Sequence, residues 1–161
     1  MYVAMRGTFP KIQWSRIICN NPGLLKWIFI FRLAALRRLH TKDRLMKWGV
    51  LGEQQCALCE RAYETTNHLF FCYDYAKNIW SKILQWQGIH RQVLSWQKEL
   101  SWACTYANGK GSRDTIYRMS LTATMYQRIF QSKRSLPQVI TRKIVQERIP
   151  DSFTGQKNRR A

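Results

Sequence analysis

Cys56-Ala57-Leu58-Cys59 is followed, eight residues on, by His68-Leu69-Phe70-Phe71-Cys72. The order is Cys-x2-Cys, then His-x3-Cys. Zn²⁺ takes four soft or borderline donors in a tetrahedron, and thiolate and imidazole are such donors. A Cys-x2-Cys turn lets two sulfurs converge on one ion. His68 and Cys72 stand four apart, so a helix would put both on one face. The residues from Glu60 to Asn67 suffice to close the loop. The competing reading is a thiol pair in a surface loop beside an unrelated histidine. The set Cys56, Cys59, His68 and Cys72 favours one structural zinc.

The 161 residues around this motif suit one domain. A hydrophobic content of 45% is too high for a disordered chain. The five cysteines form no regular framework of pairs, which argues for a reducing compartment, nuclear or cytoplasmic. Cys19 and Cys104 read as plain thiols. Leu24 to Leu36 is the longest apolar stretch; Lys26 and Arg32 interrupt it, and it is too short to span a bilayer. No signal-peptide core opens the chain. Residues 1–42 carry eight basic residues and no acid, which also fits an organelle transit peptide, although a basic helical face explains it more simply.

The fold class that follows is mostly α: a small helical domain with one zinc-clamped loop and room for a short β-hairpin at the Cys-x2-Cys turn. Residues 1–22 read as an irregular N-terminal segment, 23–106 as the zinc-binding helical domain, 107–149 as C-terminal basic helices, and 150–161 as a disordered basic tail. A first helix is predicted over Leu24–Leu39, its apolar stripe running through Leu25, Ile28, Phe29, Leu33, Leu36 and Leu39, with Arg32 intruding. Thr41 is placed to cap a short helix that Gly49 stops. Thr65 or Thr66 would cap the helix carrying His68. Helices follow over about 75–87, 92–106 and 113–131, and a last one over 137–149 between Pro137 and Pro150. In these, Ile79, Trp80 and Ile83 form one core stripe; Ile116, Met119, Ala123, Tyr126 and Phe130 form another. Trp48, Trp86, Trp96 and Trp102 fall off the cleanest stripes.

Two stretches together resemble a known family. One is Phe31-Arg-Leu-Ala-Ala-Leu-Arg-Arg-Leu-His-Thr-Lys-Asp-Arg-Leu-Met-Lys-Trp-Gly49. The other carries Cys-x2-Cys, Glu64-Thr65, His68-Leu-Phe-Phe71, Cys72 and Trp80. This order is similar to the zinc-binding domain that follows the reverse transcriptase of plant non-LTR (LINE-type) retrotransposons. The resemblance is strong over about residues 10–87 and weaker to about residue 135. It implies a zinc-stabilised appendage of a retroelement polymerase that binds nucleic acid, with Cys56, Cys59, His68 and Cys72 at the ligand positions. Three departures suggest a degenerate or domesticated fragment. The usual His-x4-Cys is His-x3-Cys, Arg32 replaces a tryptophan, and a Trp-Arg-Glu-Arg-Asn stretch has no counterpart near Tyr126 to Phe130.

The net charge of +18 favours a polyanion, nucleic acid first, with an acidic protein or an anionic membrane surface as the alternative. Residues 53–75 nevertheless carry a net −3, so the zinc loop is a poor phosphate binder. The expected contacts are Arg37, Arg38, Lys42 and Arg44, then Arg128, Lys133, Arg134, Arg142 and Lys143, unless these simply solvate helix faces. Sequence-independent binding of RNA or single-stranded DNA is expected. Catalysis is not. The four aspartates (Asp43, Asp74, Asp114 and Asp151) are scattered, whereas two-metal chemistry needs clustered carboxylates. His40 and His90 have no evident catalytic partners.

Overall fold

The computed structural model describes residues 12–50, 52–130, 142 and 144. Six α-helices occur among them: α1 (Ser15–Cys19), α2 (Leu25–Ala35), α3 (Lys42–Lys47), α4 (Asp74–Trp86), α5 (Trp96–Tyr106) and α6 (Ser112–Phe130). A π-helical turn, His68–Cys72, precedes α4. The described residues contain no strand. The expected hairpin is a single antiparallel bridge, Gln55 to Tyr63. The fold is mostly helical, as the sequence predicts.

Helix α6 lies at the centre, packed on α2, α4 and the π turn. It is buried almost all round from Thr115 to Met125. The expected stripe is buried at Met119 and Ala123, but burial extends round the helix beyond it, and Phe130 at its end is exposed. Its buried threonines are tolerated because their hydroxyls bond within the helix, whereas Ser120 Oγ and Gln127 Oε1 are buried without a partner among the described residues. Thr115, Thr122 and Thr124 donate to the carbonyls of Gly111, Arg118 and Ser120 at 3.0, 3.0 and 2.7 Å. Arg118, 1% exposed, donates to the carbonyls of Ala107, Gly109 and Asn20 and to the Thr115 hydroxyl. One buried cation thus ties the segment before α2 and the loop before α6 to the central helix.

Around α6 runs a chain of aromatic rings. Phe71 stacks on Trp96 at 5.9 Å; Phe31 meets Trp96, and Tyr117 meets Trp80, edge to face at 5.7 and 5.6 Å. Each such pair contributes about 0.5–1.5 kcal/mol beyond its buried area. Residues on both sides of position 106 share this core.

The α2 stripe is also corrected. Trp27, Ile30, Phe31 and Ala34 face the core, whereas Leu25 and Phe29 are 84% and 59% exposed. Both sets have helical spacing; α6 selects the one with Trp27. Arg32 then lies on the solvent side. The helix ends at Ala35 in a two-bond cap: Arg38 N donates to the Leu33 carbonyl at 2.7 Å and Arg37 N to that of Ala34 at 3.0 Å. This requires a left-handed residue at position 37. Arg37 supplies it at φ 55, where glycine would sit without strain.

Gly49 and Gly88, at φ 71 and 74, close α3 and α4 as expected. The α3 cap differs. The Thr41 hydroxyl donates to the Asp43 carboxylate and makes no backbone cap. Instead Glu64 receives the first N–H groups: Lys42 N donates to its carboxylate at 3.2 Å and Asp43 N to its carbonyl at 3.3 Å. Of the expected last helix, only Arg142 and Ile144 are described; Ile144 is buried in the core. Residues 1–11, the rest of 137–149 and the tail from 150 lie outside the described residues.

Candidate metal centre

The Cys56–Cys59 turn is closed by backbone bonds. Cys56 N donates to the Ala62 carbonyl, Glu60 N to that of Cys56 and Glu64 N to that of Gln54, each at 2.8 Å. Glu60 turns the chain at φ 55. Cys56 is thereby fully buried, and Cys59 half-buried beside it. Burial would raise the Cys59 thiol, but the backbone N–H groups of Arg61 and Ala62, the Cys56 side chain and the Arg61 charge outweigh it and hold the thiol below its ordinary value. A thiolate is the form that ligates metal.

His68 arrives from the other side. The Thr65 hydroxyl accepts from His68 N at 3.1 Å, the expected cap. The turn that follows is π-helical, and Leu69, Phe70 and Phe71 are all buried. Three successive apolar side chains are hard to bury from one narrow helical face; the wider turn admits them. It also redirects a bond. Tyr73 N, which an α-helix would aim at Leu69, donates to His68 O at 2.9 Å. The Leu69 carbonyl accepts instead from Arg128 Nε at 3.3 Å.

The ligand atoms of Cys56, Cys59 and His68 lie within 4.8 Å of one another. Ligands on one tetrahedral zinc stand about 3.5–4 Å apart, so a small contraction would complete a shared ion. In the structure, Cys59 Sγ and His68 Nε2 are 3.2 Å apart. The chemistry of this donor set fits zinc. Cys72 is not in the group. It is exposed, and Asn67 Nδ2 donates to its sulfur at 2.9 Å. It does line the same open cavity, of about 440 Å³, as Cys59 and His68.

The expected phosphate contacts divide. Arg37 and Arg38 are exposed. Arg44 lies over the Trp48 ring at 4.9 Å. The Lys42 ammonium donates to the Gln55 carbonyl at 2.8 Å and so braces the cysteine turn. Arg142 is exposed. Lys133, Arg134 and Lys143 lie outside the described residues. Arg128 requires a correction: it is 7% exposed and does not stand at the surface. Its guanidinium covers Tyr73 and Tyr75 at 4.6 and 5.2 Å and lies within electrostatic reach of Cys56 and Cys59. Burial draws its pKa down, against the opposing pull of Tyr73 and Cys56.

Arg128 therefore acts on the centre from below. Arg128→Met is expected to cost about 3 kcal/mol, from the orphaned Leu69 carbonyl and the lost cation–π contacts. In a thermal melt that is a fall of about 6–12 °C. An unchanged melt would show that the π turn stands without it. Sequence reasoning also missed Asn67, whose Oδ1 accepts from Trp96 N at 2.7 Å and joins the metal segment to α5. No sequence pattern marks that bond.

Searches of the curated proteins and of the solved structures returned no match. Residues 1–80 match the profile of the family described as zinc-binding in reverse transcriptase. The match contains the cysteine pair, His68 and Cys72, and ends inside α4. Over residues 1–80, then, this chain is a zinc-binding domain of the reverse-transcriptase type.

Proposed function

We propose that this retroelement-derived zinc-binding module binds nucleic acid without sequence preference and performs no catalysis of its own. One structural zinc, held by Cys56, Cys59 and His68 with Cys72 as fourth donor, clamps the loop between α3 and α4. The bound ion would supply a rigid cross-link between the cysteine turn and the π turn. The residues themselves do the rest. Glu64 carries the start of α3, Lys42 ties α3 back to the turn, and Arg128 satisfies the π turn.

The observation that carries this reading is the division of charge. Residues 53–75 have a net −3, while Arg37, Arg38, Arg44 and Lys47 gather on the α2–α3 side of a chain of net +18. A clamp that is itself acidic holds a basic face in place. Binding to random single-stranded RNA and DNA, titrated against salt, tests it. Four phosphate contacts give a log–log slope of about −2.8, hence roughly 50-fold weaker binding at 200 mM than at 50 mM salt. No binding at 50 mM salt would refute the reading and turn attention to an acidic protein partner.

A further inference from the structure

An open cleft of about 630 Å³ lies between the α2–α3 connection and the first turn of α5. Its lining includes Arg37, Arg44, Lys47, Trp48 and, opposite, Ser95 and Gln97. Asp43 is the single carboxylate among the lining residues, and it is already engaged by the Thr41 hydroxyl. Three cations thus face a single carboxylate, which leaves the recess net positive.

Trp48 stands at the mouth of this cleft. It is 52% exposed, although a ring of this size is ordinarily buried for the most part. It is nevertheless fixed. The Arg44 guanidinium lies over its ring, and the His40 ring meets it at 69° with centroids 5.8 Å apart. Arg37 adds a second anomaly at the same mouth. The cap of α2 explains the left-handed backbone there, but not the choice of arginine over glycine. A strained residue retained at a cleft is a reason to look for a ligand.

We propose that this cleft binds single-stranded nucleic acid, with backbone phosphates against Arg37, Arg44 and Lys47 and an unpaired base stacked on Trp48. The inference rests on the nucleic-acid reading above and gives it a place. Cations alone would suit any polyanion. A pinned, half-exposed indole among them suits a ligand with both phosphates and bare aromatic faces, which a paired duplex does not offer. An acidic peptide would use the cations and leave the ring without a partner.

The test uses the full 161-residue chain and fluorescein-labelled 12-mers of dT and U, read by anisotropy across a salt series. Circular dichroism checks that each variant is folded. Trp48→Ala is expected to weaken binding about tenfold with the salt slope unchanged, because stacking releases no counterions. Arg44→Gln/Lys47→Gln is expected to flatten the slope by about 1.4. Lys77→Gln/Lys110→Gln removes the same charge from exposed positions elsewhere and is expected to change the slope less. Equal losses in the two double variants, or wild-type binding by Trp48→Ala, would overturn the cleft while leaving nucleic-acid binding intact. So would displacement of the 12-mer by duplex or by poly-glutamate as efficiently as by unlabelled single strand. Wild type that binds neither oligonucleotide at 50 mM salt would defeat the parent reading, and the cleft with it.

Discussion

Cys56→Ser is expected to abolish zinc binding and, with the proposed clamp, most of the order in the segment from Gln54 to Tyr73. Cys56 is fully buried between the cysteine turn and the core, so its sulfur is the donor with least freedom to be replaced by water. Apparent zinc binding in small structural sites is worth about 10–16 kcal/mol near neutral pH. The net stability of a domain is about 5–15 kcal/mol, so losing the clamp is comparable to losing the fold locally. Native mass spectrometry should show one zinc per wild-type chain and none in the variant, with the melting midpoint lower by more than about 10 °C. Cys19→Ser, at an exposed position, should leave both quantities unchanged, and Cys104→Ser, packed against the core, should leave the zinc content unchanged. A metal-free wild type whose melt ignores chelator would refute the clamp. Cys72→Ser then reports on the fourth position. Loss of zinc equal to that of Cys56→Ser means that the thiol leaves Asn67 and completes the site; retention means that three protein donors hold the ion.

The second large effect lies away from the metal. Glu99 has 0% exposure and is paired with Arg91 through two bonds, at 2.5 and 3.1 Å. The Tyr117 hydroxyl also donates to it, and Arg91 lies over Trp102 at 4.4 Å. Glu99→Ala strands a half-buried guanidinium and a buried phenol together. Breaking such a pair from one side costs about 3–5 kcal/mol, which lowers the melting midpoint by about 6–20 °C. The double variant Arg91→Met/Glu99→Leu should recover most of that loss, since the penalty belongs to the orphaned charge. If it melts no higher than Glu99→Ala, the ion pair is contributing net stability. The same cluster sets an alkaline limit. Burial first, and the adjoining Glu99 carboxylate second, raise the Tyr117 pKa well above the ordinary 10.0. The folded state therefore keeps its proton after the unfolded chain has lost it. Stability is full below about pH 10 and falls as pH rises beyond it. A melt series from pH 8 to 11 should show the decline in wild type and a shallower one in Tyr117→Phe.

Residue types and spacing alone determined the metal motif, the class of fold, the spans of α3, α4 and α6 to within a residue or two, and the glycine stops at 49 and 88. These are local matters: a cysteine pair two apart, a 3.6-residue period, a left-handed glycine. Trp27 and Phe29 illustrate what spacing could not decide. Each belongs to an apolar set of helical period on α2, and only the position of α6 chose between them. α6 itself reads as a one-sided helix, yet it is enclosed, because its hydroxyls bond to its own carbonyls and Arg118 collects acceptors from distant loops. Arg128 looked like a surface cation for the same reason. A charge is read as exposed unless its partners are known, and the partners here, a carbonyl freed by a π turn and two tyrosine faces, exist only once the chain has folded. Local chemistry is written residue by residue. Burial is a property of the neighbours, and the neighbours arrive from up to about a hundred residues away, as in the bond from Asn21 to Arg118, 97 positions apart.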